Sequence, residues 1–587
     1  MKIAFQEGYR VVVEHLKGLS GQTEESGASI NHGGTQAHNE GHGVHPSTGG
    51  IHIKETPITR QCQRRNIITV NGQFPGPTLY VHMGDTLIVK TYNTAPHNAT
   101  IHWHGVRQIR SGWADGPGYI TQCPIQQGGN YTYRFTIVAK EGTLWWHAHV
   151  SWLRATVHGA LVIYPQKGRS YPFPKPHAEI PIVLGQWWNS DPEAVEMQSI
   201  LTGAAPNISN GFTIDGQPGD LCPCSKSGTS KISVEQGRTY LLRIVNAAVN
   251  NHLFFKIASH NLTVVAVDAC YTKPYTTDIM LISPGQTADV LLAADQPLAK
   301  YYIAAKAYTT QAIGFFDNTT TTGVLSYVGS PSSATPSFPQ LPEYNDTATV
   351  TEFNRALRSL ASPEHPVNVP KTIDEKLFIS VGLGLFPCRT NLTTNCQGPN
   401  NTRLTASLNN VSFVLPDIAI LQAYYFGVNG VFTTDFPSNP PVVFNYTGDD
   451  IPKSLWAPIT GTKVYVLDYN STVEVVFQGT NIFQPDDHPM HLHGYDFYIV
   501  GEGFGNYNAE TDPLTFNLVD PPQRNTVGVP VSGWTAIRFK ADNPGVWFMH
   551  CHFDDHVTWG LNMVFVVKNG PGYLASLEPP PHDLPRC

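Results

Sequence analysis

Trp547-Phe548-Met549-His550-Cys551-His552 reads as a β-strand with two imidazoles on one face and a thiol on the other. Residues i and i+2 of a strand share a face, and the residue between them points the opposite way. The stretch has a counterpart earlier in the chain, Trp145-Trp146-His147-Ala148-His149. One hairpin upstream of each lies another pair, His491-Leu492-His493 and His102-Trp103-His104. In front of these come matching turn-and-strand segments, Asn470 to Val476 and Met83 to Val89.

A third copy of the pattern starts at Gln236-Gly237-Arg238-Thr239, but its later strands read Leu253-Phe254-Phe255-Lys256 and Tyr301-Tyr302-Ile303-Ala304 and carry no histidine pair. Self-similarity of this kind marks repeated structural units. The fold class is therefore all-β, with similar domains over 51–168, 176–330 and 376–587. The Pro/Ser/Thr-rich stretch 331–375 is expected to be a linker. Segment 1–50 is rich in Gly, His, Ser and Thr and is expected to be disordered, with His32, His38, His42 and His45 as solvated residues rather than ligands.

Composition agrees with β structure. Charged residues make up 14% of the 587, and 51 glycines with 46 prolines favour turns over helix bundles. A net charge of −8 without a basic stripe excludes nucleic acid as the partner. No apolar run reaches the ~18 residues of a membrane span. Eleven N-x-S/T sequons, at Asn98, Asn130, Asn207, Asn261, Asn318, Asn345, Asn391, Asn400, Asn410, Asn445 and Asn470, argue for secretion, although the first residues lack an apolar signal core.

Four His-x-His pairs on equivalent strands provide eight imidazoles, too many for one ion and suited to a cluster of two or three. Cys551 faces away from that cluster, and His556 follows it by five residues, Leu561 by ten, while His488 precedes the third pair by three. One thiolate and two imidazoles with a weak or absent axial ligand describe a blue-copper electron-transfer site. Zinc would want a fourth ligand or water, and Leu561 stands in the axial place. Copper is the expected metal, with Cys551 joining its site to the cluster through one residue on either side.

At this point the chain resembles the multicopper oxidases, and within them the plant-type laccases. The resemblance runs through NGQFPGP at Asn71, IHWHG at Ile101, RSGWADGP at Arg110, TQCPI at Thr121, HPMHLHGYDFYIVGEGFGNYN at His488, RNTVGVP at Arg524 and NPGVWFMHCHFDDH at Asn543. It implies three cupredoxin-like Greek-key β-sandwiches, four coppers, and one-electron oxidation of phenols such as lignin precursors coupled to reduction of O2 to water. It implies His102 and His491 as type 2 ligands, and His104, His147, His552 and His149, His493, His550 as the two type 3 sets. His488, Cys551 and His556 would be the type 1 ligands beside a non-coordinating Leu561, with His556 as the edge that receives the substrate's electron. Asp115 matches a family acid near the cluster and is expected to deliver protons. Asp554 is a second such candidate, or else a strand-end carboxylate that orients a neighbour. The family pattern further suggests Cys123 paired with Cys587, Cys62 with Cys222 or Cys224, a local Cys388–Cys396 loop, and Cys270 as a buried free thiol.

Phenols and O2 are thus the expected partners of a monomeric, apoplastic enzyme. Where plant laccases often carry domain-two acids, this chain has Asn251-His252. An ascorbate oxidase would be expected to show Met at position 561. An Fe²⁺ or Cu⁺ oxidase would need carboxylates or methionines at the type 1 edge. A copper carrier without turnover would have lost ligands.

Overall fold

In the computed structural model, the described residues are 12–14, 50–221, 224–225, 228–311, 315–388 and 396–587. Within segment 1–50, expected to be disordered, Val12–Glu14 instead pairs antiparallel with Thr86 to Ile88. Such an addition needs only the backbone groups left open on the side of Thr86–Asn93 away from Asn130–Thr136, short of where Ile51–Ile53 pairs. The four N-terminal histidines and Cys222 lie outside the described residues.

The described residues build six sheets, packed as three two-sheet sandwiches in chain order. Each has its own apolar core: Ile53, Trp103 and Trp146 in the first, Leu242, Phe254 and Ile303 in the second, Ile379, Trp547 and Phe565 in the third. Antiparallel hairpins alternate with parallel contacts such as Ala178–Trp187 beside Thr239–Asn246 and Glu375–Pro387 beside Thr472–Gly479, which require the chain to cross between sheets. The proline-rich stretch 331–375 contains the helix Thr347–Ala356, whose Val350 and Phe353 pack into the core of the second sandwich.

The histidine strands occupy the smaller sheets of the first and third sandwiches. Ile101–His104 pairs with Gly142–Ala148, setting His102 opposite His147. His488–Leu492 pairs with Gly545–Cys551, setting His491 opposite His550. Alternation along Gly545–Cys551 sends Trp547, Met549 and Cys551 into the third core, while Val546 and Phe548 face outward into a separate cluster with Trp113 and Ile120 of the first sandwich. The outer face of this strand is covered jointly by the first sandwich and by the third's own Phe413, Ile420 and Leu421.

Charged clasps hold the three sandwiches together. Arg524 pairs with Asp268 at 3.1 Å, Lys140 with Asp496 at 2.5 Å, and Arg243 with Asp289 at 3.1 Å while donating to Thr143 Oγ1. Among the described residues, three disulfides add to them. Cys123–Cys587 spans 464 residues and ties the C-terminus to the first sandwich, Cys62–Cys224 ties the first to the second, and Cys388–Cys396 closes a local loop. Cys270 is unpaired, but it is only half-buried rather than buried, with Lys140 Nζ 3.4 Å from its sulfur.

Candidate metal centre

His488 opens one strand of the third sandwich, Cys551 closes its neighbour, and His556 lies on the short helix Asp554–Thr558 that follows. Their donor atoms converge. His488 Nδ1 and His556 Nδ1 are 3.1 Å apart, and the Cys551 sulfur is 3.4 Å from the latter and 3.9 Å from the former. All three side chains are buried. Burial pushes the Cys551 thiol well up and holds His488 down at about 4, so without a cation the trio would be neutral. The backbone of Leu561 bonds to both arms, donating to the His556 carbonyl at 2.9 Å and accepting from Cys551 N at 3.1 Å. Its side chain is fully buried beside them and offers no donor atom.

The other eight histidines meet between the first and third sandwiches. Three groups each keep their ligand atoms within 4.8 Å of one another: His102 with His104 and His147, His102 with His491 and His493, and His149 with His493 and His550. His552 Nε2 lies 3.3 Å from His104 Nδ1. The outer nitrogens are anchored. His102 Nδ1 donates to the Asp115 carbonyl at 2.7 Å, His147 to Ala148 O at 2.8 Å, His491 to Asn525 O at 2.8 Å and His550 to Cys551 O at 2.7 Å. Carbonyl oxygens only accept, so each of these rings turns a bare lone pair inward.

The inward Nε2 atoms of His102, His147 and His491 are buried without a hydrogen-bond partner. Unpartnered buried polar atoms are costly, and lone pairs that converge are what a bound cation satisfies. Desolvation, reinforced by neighbouring imidazoles, drives His104, His493 and His552 far below the ordinary range, which keeps them neutral and ready to ligate. A donor set of imidazoles and one thiolate suits copper.

Three multicopper oxidase family profiles match residues 52–168, 178–330 and 435–571. Laccase-12 of Arabidopsis thaliana is 60% identical over 537 residues, covering 91% of this chain and 94% of the relative. Laccase-3 of Oryza sativa subsp. japonica is 56% identical over 541 residues, with coverages of 91% and 94%. Among solved structures, the laccase from Botrytis aclada superposes with a TM-score of 0.68 at 27% identity, covering 90% of this chain and 88% of that one. The chain is a multicopper oxidase of the plant laccase group. Four coppers belong to that family, and the two buried donor sets described above fit them.

In this multicopper oxidase, Asp115 is fully buried at the cluster, with Oδ2 2.9 Å from His493 Nδ1 and Oδ1 3.4 Å from His102 Nδ1. The turn after it requires Gly116, at φ +101, because a Cβ would stand 2.0 Å from the Ile101 carbonyl oxygen. Asp554 begins a helix rather than ending a strand. Its carboxylate lies 3.0 Å from Nε of the buried Arg154, whose other nitrogens reach the carbonyls of His552 and Val249 and the His552 ring. Desolvation, opposed by Arg154, pushes the Asp554 carboxyl up to about 7.

A cleft of about 420 Å³ leads from the surface to His556, walled by Trp188, Phe316, Phe483 and Trp559. Asn251 lines it, while His252 sits 3.2 Å from Asp487. Its carboxyls come from the third sandwich instead. They are Asp555 and Asp486, the latter 3.7 Å from His556 Nε2 and accepting from Gln311 at 2.8 Å.

Sequence reasoning passed over Asn525, which accepts from His491 through its carbonyl and from His104 Nε2 through its side chain at 2.9 Å. It also passed over Arg154 and Gly285. Asn525 lay inside the RNTVGVP block, but nothing in a block says which member touches a ligand. Gly285 belongs to a turn of the second sandwich at φ +90, where a Cβ would stand 2.8 Å from His552 Cδ2 and 3.0 Å from His104 Cε1. Gly285→Ala is expected to lower copper occupancy of the cluster while leaving intact the red absorption that a copper bound to the Cys551 thiolate would give. It should also destabilise the fold by ~1–3 kcal/mol through backbone strain. Metal analysis and thermal unfolding of the two proteins check both expectations.

Proposed function

We propose that the chain is a laccase that oxidises phenols, including lignin precursors, at the His556 cleft and reduces O2 to water at the eight-histidine cluster. The observation that carries this reading is the continuity of the two sites. The cleft ends on His556, His556 faces the Cys551 sulfur, and Cys551 stands between His550 and His552 of the cluster. Bound copper supplies one-electron chemistry at both places, and four such electrons match one O2 becoming two waters.

The residues divide the work as follows. His488, Cys551 and His556 hold the type 1 copper. His102 and His491 hold type 2. His104, His147 and His552 hold one type 3 ion, and His149, His493 and His550 the other. The aromatic walls of the cleft bind the phenol ring, and the carboxyls of Asp486 and Asp555 face its hydroxyl. Asp115 and Asp554 serve proton delivery to the cluster. Of the sequons, Asn98, Asn130, Asn207, Asn261, Asn318, Asn345, Asn400, Asn445 and Asn470 are exposed. With the disulfides, they support a secreted, glycosylated enzyme.

The two carboxyls beside His556 also meet one requirement of an Fe²⁺ oxidase. Burial raises both, Asp555 to about 7 and Asp486 well above its usual range, so a divalent ion would have to displace a proton to bind there. Protein purified from a secreting host should contain about four coppers per chain and absorb strongly in the red. O2 uptake should be fast with phenols and slow with Fe²⁺ and ascorbate. A zinc-filled, colourless protein, or faster uptake with Fe²⁺ than with any phenol, would overturn the reading.

Leu561 sets the reach of the enzyme toward poorly reducing phenols. A thioether at the axial place would donate to the copper and favour its oxidised state, and leucine cannot donate. Leu561→Met is expected to lower the type 1 potential and slow poorly reducing phenols selectively. Each ~59 mV is tenfold in a one-electron equilibrium. The similar volumes keep the packing cost below ~1.5 kcal/mol. Redox titration of the two proteins decides it, and an unchanged or higher potential would show that Leu561 is not axial.

A further inference from the structure

The second sandwich holds none of the histidine pairs, yet one of its acids reaches the cluster's surroundings. Glu196 lies on the helix Pro192–Thr202, a helix with Pro at its first position and a left-handed Gly203 at its C-cap. Its side chain is buried and opens on a cavity of about 260 Å³, together with Ser151, Thr558 and Asp554. His147, His149 and His550 line the same cavity, whose rim includes the exposed Ile200 and Leu415. At roughly 30 Å³ of liquid volume each, several waters fit such a space.

The hydrogen bonds of Glu196 determine where its proton sits. Oε2 accepts from two donors, the Ser151 hydroxyl and Trp152 N, the latter at 3.1 Å. Oε1 lies 2.9 Å from Thr558 Oγ1, and that same hydroxyl lies 2.8 Å from the Asp554 carbonyl oxygen. Thr558 has one proton to give. That one proton faces two acceptors, Glu196 Oε1 and the Asp554 carbonyl oxygen, and a proton on Oε1 would let both contacts be full hydrogen bonds. Burial, offset in part by Ser151, Thr558 and Trp152, raises the Glu196 carboxyl in the same direction.

One turn earlier on the helix, Glu193 is half-buried beside the Ser151 hydroxyl, with Oε1 lacking a partner. Desolvation, with the nearby Glu196, lifts it to about 8, so it can take protons from solvent near neutral pH. The other charged groups around the cavity are Arg154 and Asp554.

We propose that Glu196 is a proton-holding residue for O2 reduction, contributed by the sandwich without metal ligands: its Oε1 releases a proton into the cavity shared with Asp554 and the histidine cluster, and it regains one from Glu193 through the Ser151 hydroxyl. The proton lost from Oε1 is replaced on Oε2, and once the Glu196 carboxyl and the Ser151 hydroxyl have rotated back, each passage has moved one proton inward and restored every residue. Four passages match the four protons that O2 consumes in becoming two waters. The proposal rests on the laccase reading above, in which O2 is reduced to water and four protons are consumed. Glu196 acts through the cavity and touches no reacting atom, so its role is one of supply and positioning.

The test compares wild type with Glu196→Gln and Thr558→Val as copper-loaded holoproteins. The resting infrared difference spectrum, wild type minus Glu196→Gln, should carry the carbonyl band of a protonated carboxyl. Thr558→Val should shift that band by removing its partner. In stopped flow, phenol without O2 should bleach the red absorption of Glu196→Gln at the wild-type rate. Recovery after O2 is added should slow by roughly tenfold or more, a loss in the range of general acid catalysis, and Thr558→Val should slow it in the same direction. Ionised-carboxylate bands in place of the carboxyl band, or recovery at the wild-type rate, would overturn the proposal. So would equal slowing of both half-reactions or loss of copper, since Glu196 would then only brace the interface. If wild type itself fails to bleach with phenols, the laccase reading fails and the proposal falls with it, a result distinguished by the wild-type trace alone.

Discussion

The Cys551→Ser protein is expected to lose the red absorption and all phenol oxidation above background, while keeping the histidine cluster loaded and losing one copper of the four. The expectation follows from which way the side chains point. Cys551 projects into the third core with Trp547 and Met549, whereas the pairs around it meet at the seam with the first sandwich. Removing the sulfur leaves His488 and His556 as two imidazoles 3.1 Å apart at Nδ1, with a hydroxyl that is a poor soft-metal ligand. Nothing on the cluster side changes, because His550 Nδ1 bonds to the Cys551 backbone carbonyl at 2.7 Å and not to its side chain. Burying a hydroxyl in place of the thiol costs ~1–3 kcal/mol, too little to unfold a chain tied by Cys123–Cys587 across 464 residues. Copper analysis, the visible spectrum and phenol turnover read the three parts separately. A variant that stays coloured would show that Cys551 is not the charge-transfer ligand. One that loses all its copper would show that the two sites do not load independently.

Much of this arrangement is legible in sequence because it repeats and because strand alternation has a period of two. The pairs His102/His104 and His550/His552 announce themselves in matching copies, and alternation alone separates Cys551 from its neighbours. What alternation cannot express is which outer faces dock. The bond from His493 to Asp115 joins residues 378 apart only once the first and third sandwiches close. Residues that act singly from turns or helices carry no pattern at all. Gly285 reads as a turn glycine, and Arg154 as one cation among many. Glu196 reads as a polar residue on a short helix, though it is buried against another sandwich. Asp554 was misread in its setting, because the chain turns into a helix straight after His552 rather than leaving the strand for solvent. Two cysteines two residues apart left the partner of Cys62 open, and only the approach of the loop to 5.3 Å between Cα atoms selects Cys224.

Asp115→Asn separates the two halves of the reaction from the other side of the cluster. Asp115 stands between His102 and His493, away from the cavity lined by Glu196, and its Oδ1 is buried without a hydrogen-bond partner. Asparagine has the same shape. Its carbonyl oxygen can keep the bond from His493 Nδ1, and the backbone carbonyl of residue 115 still receives His102 Nδ1, so both rings keep their tautomers and their inward lone pairs. What disappears is a group that can give up a proton. Removing one positioned acid typically costs about 10²- to 10⁴-fold in a step that needs it. Bleaching of the red absorption by phenol under anaerobic conditions should therefore run at the wild-type rate, and its recovery in O2 should slow by about two orders of magnitude or more. Asp115→Ala makes the contrast, because it removes the acceptor from His493 as well, and copper should then be lost from the cluster. Slow bleaching with normal recovery in Asp115→Asn would place the residue on the electron-donor side. Normal rates in both directions would leave Asp115 as a strut for His493, with the protons entering only through the cavity that Asp554 and Glu196 share.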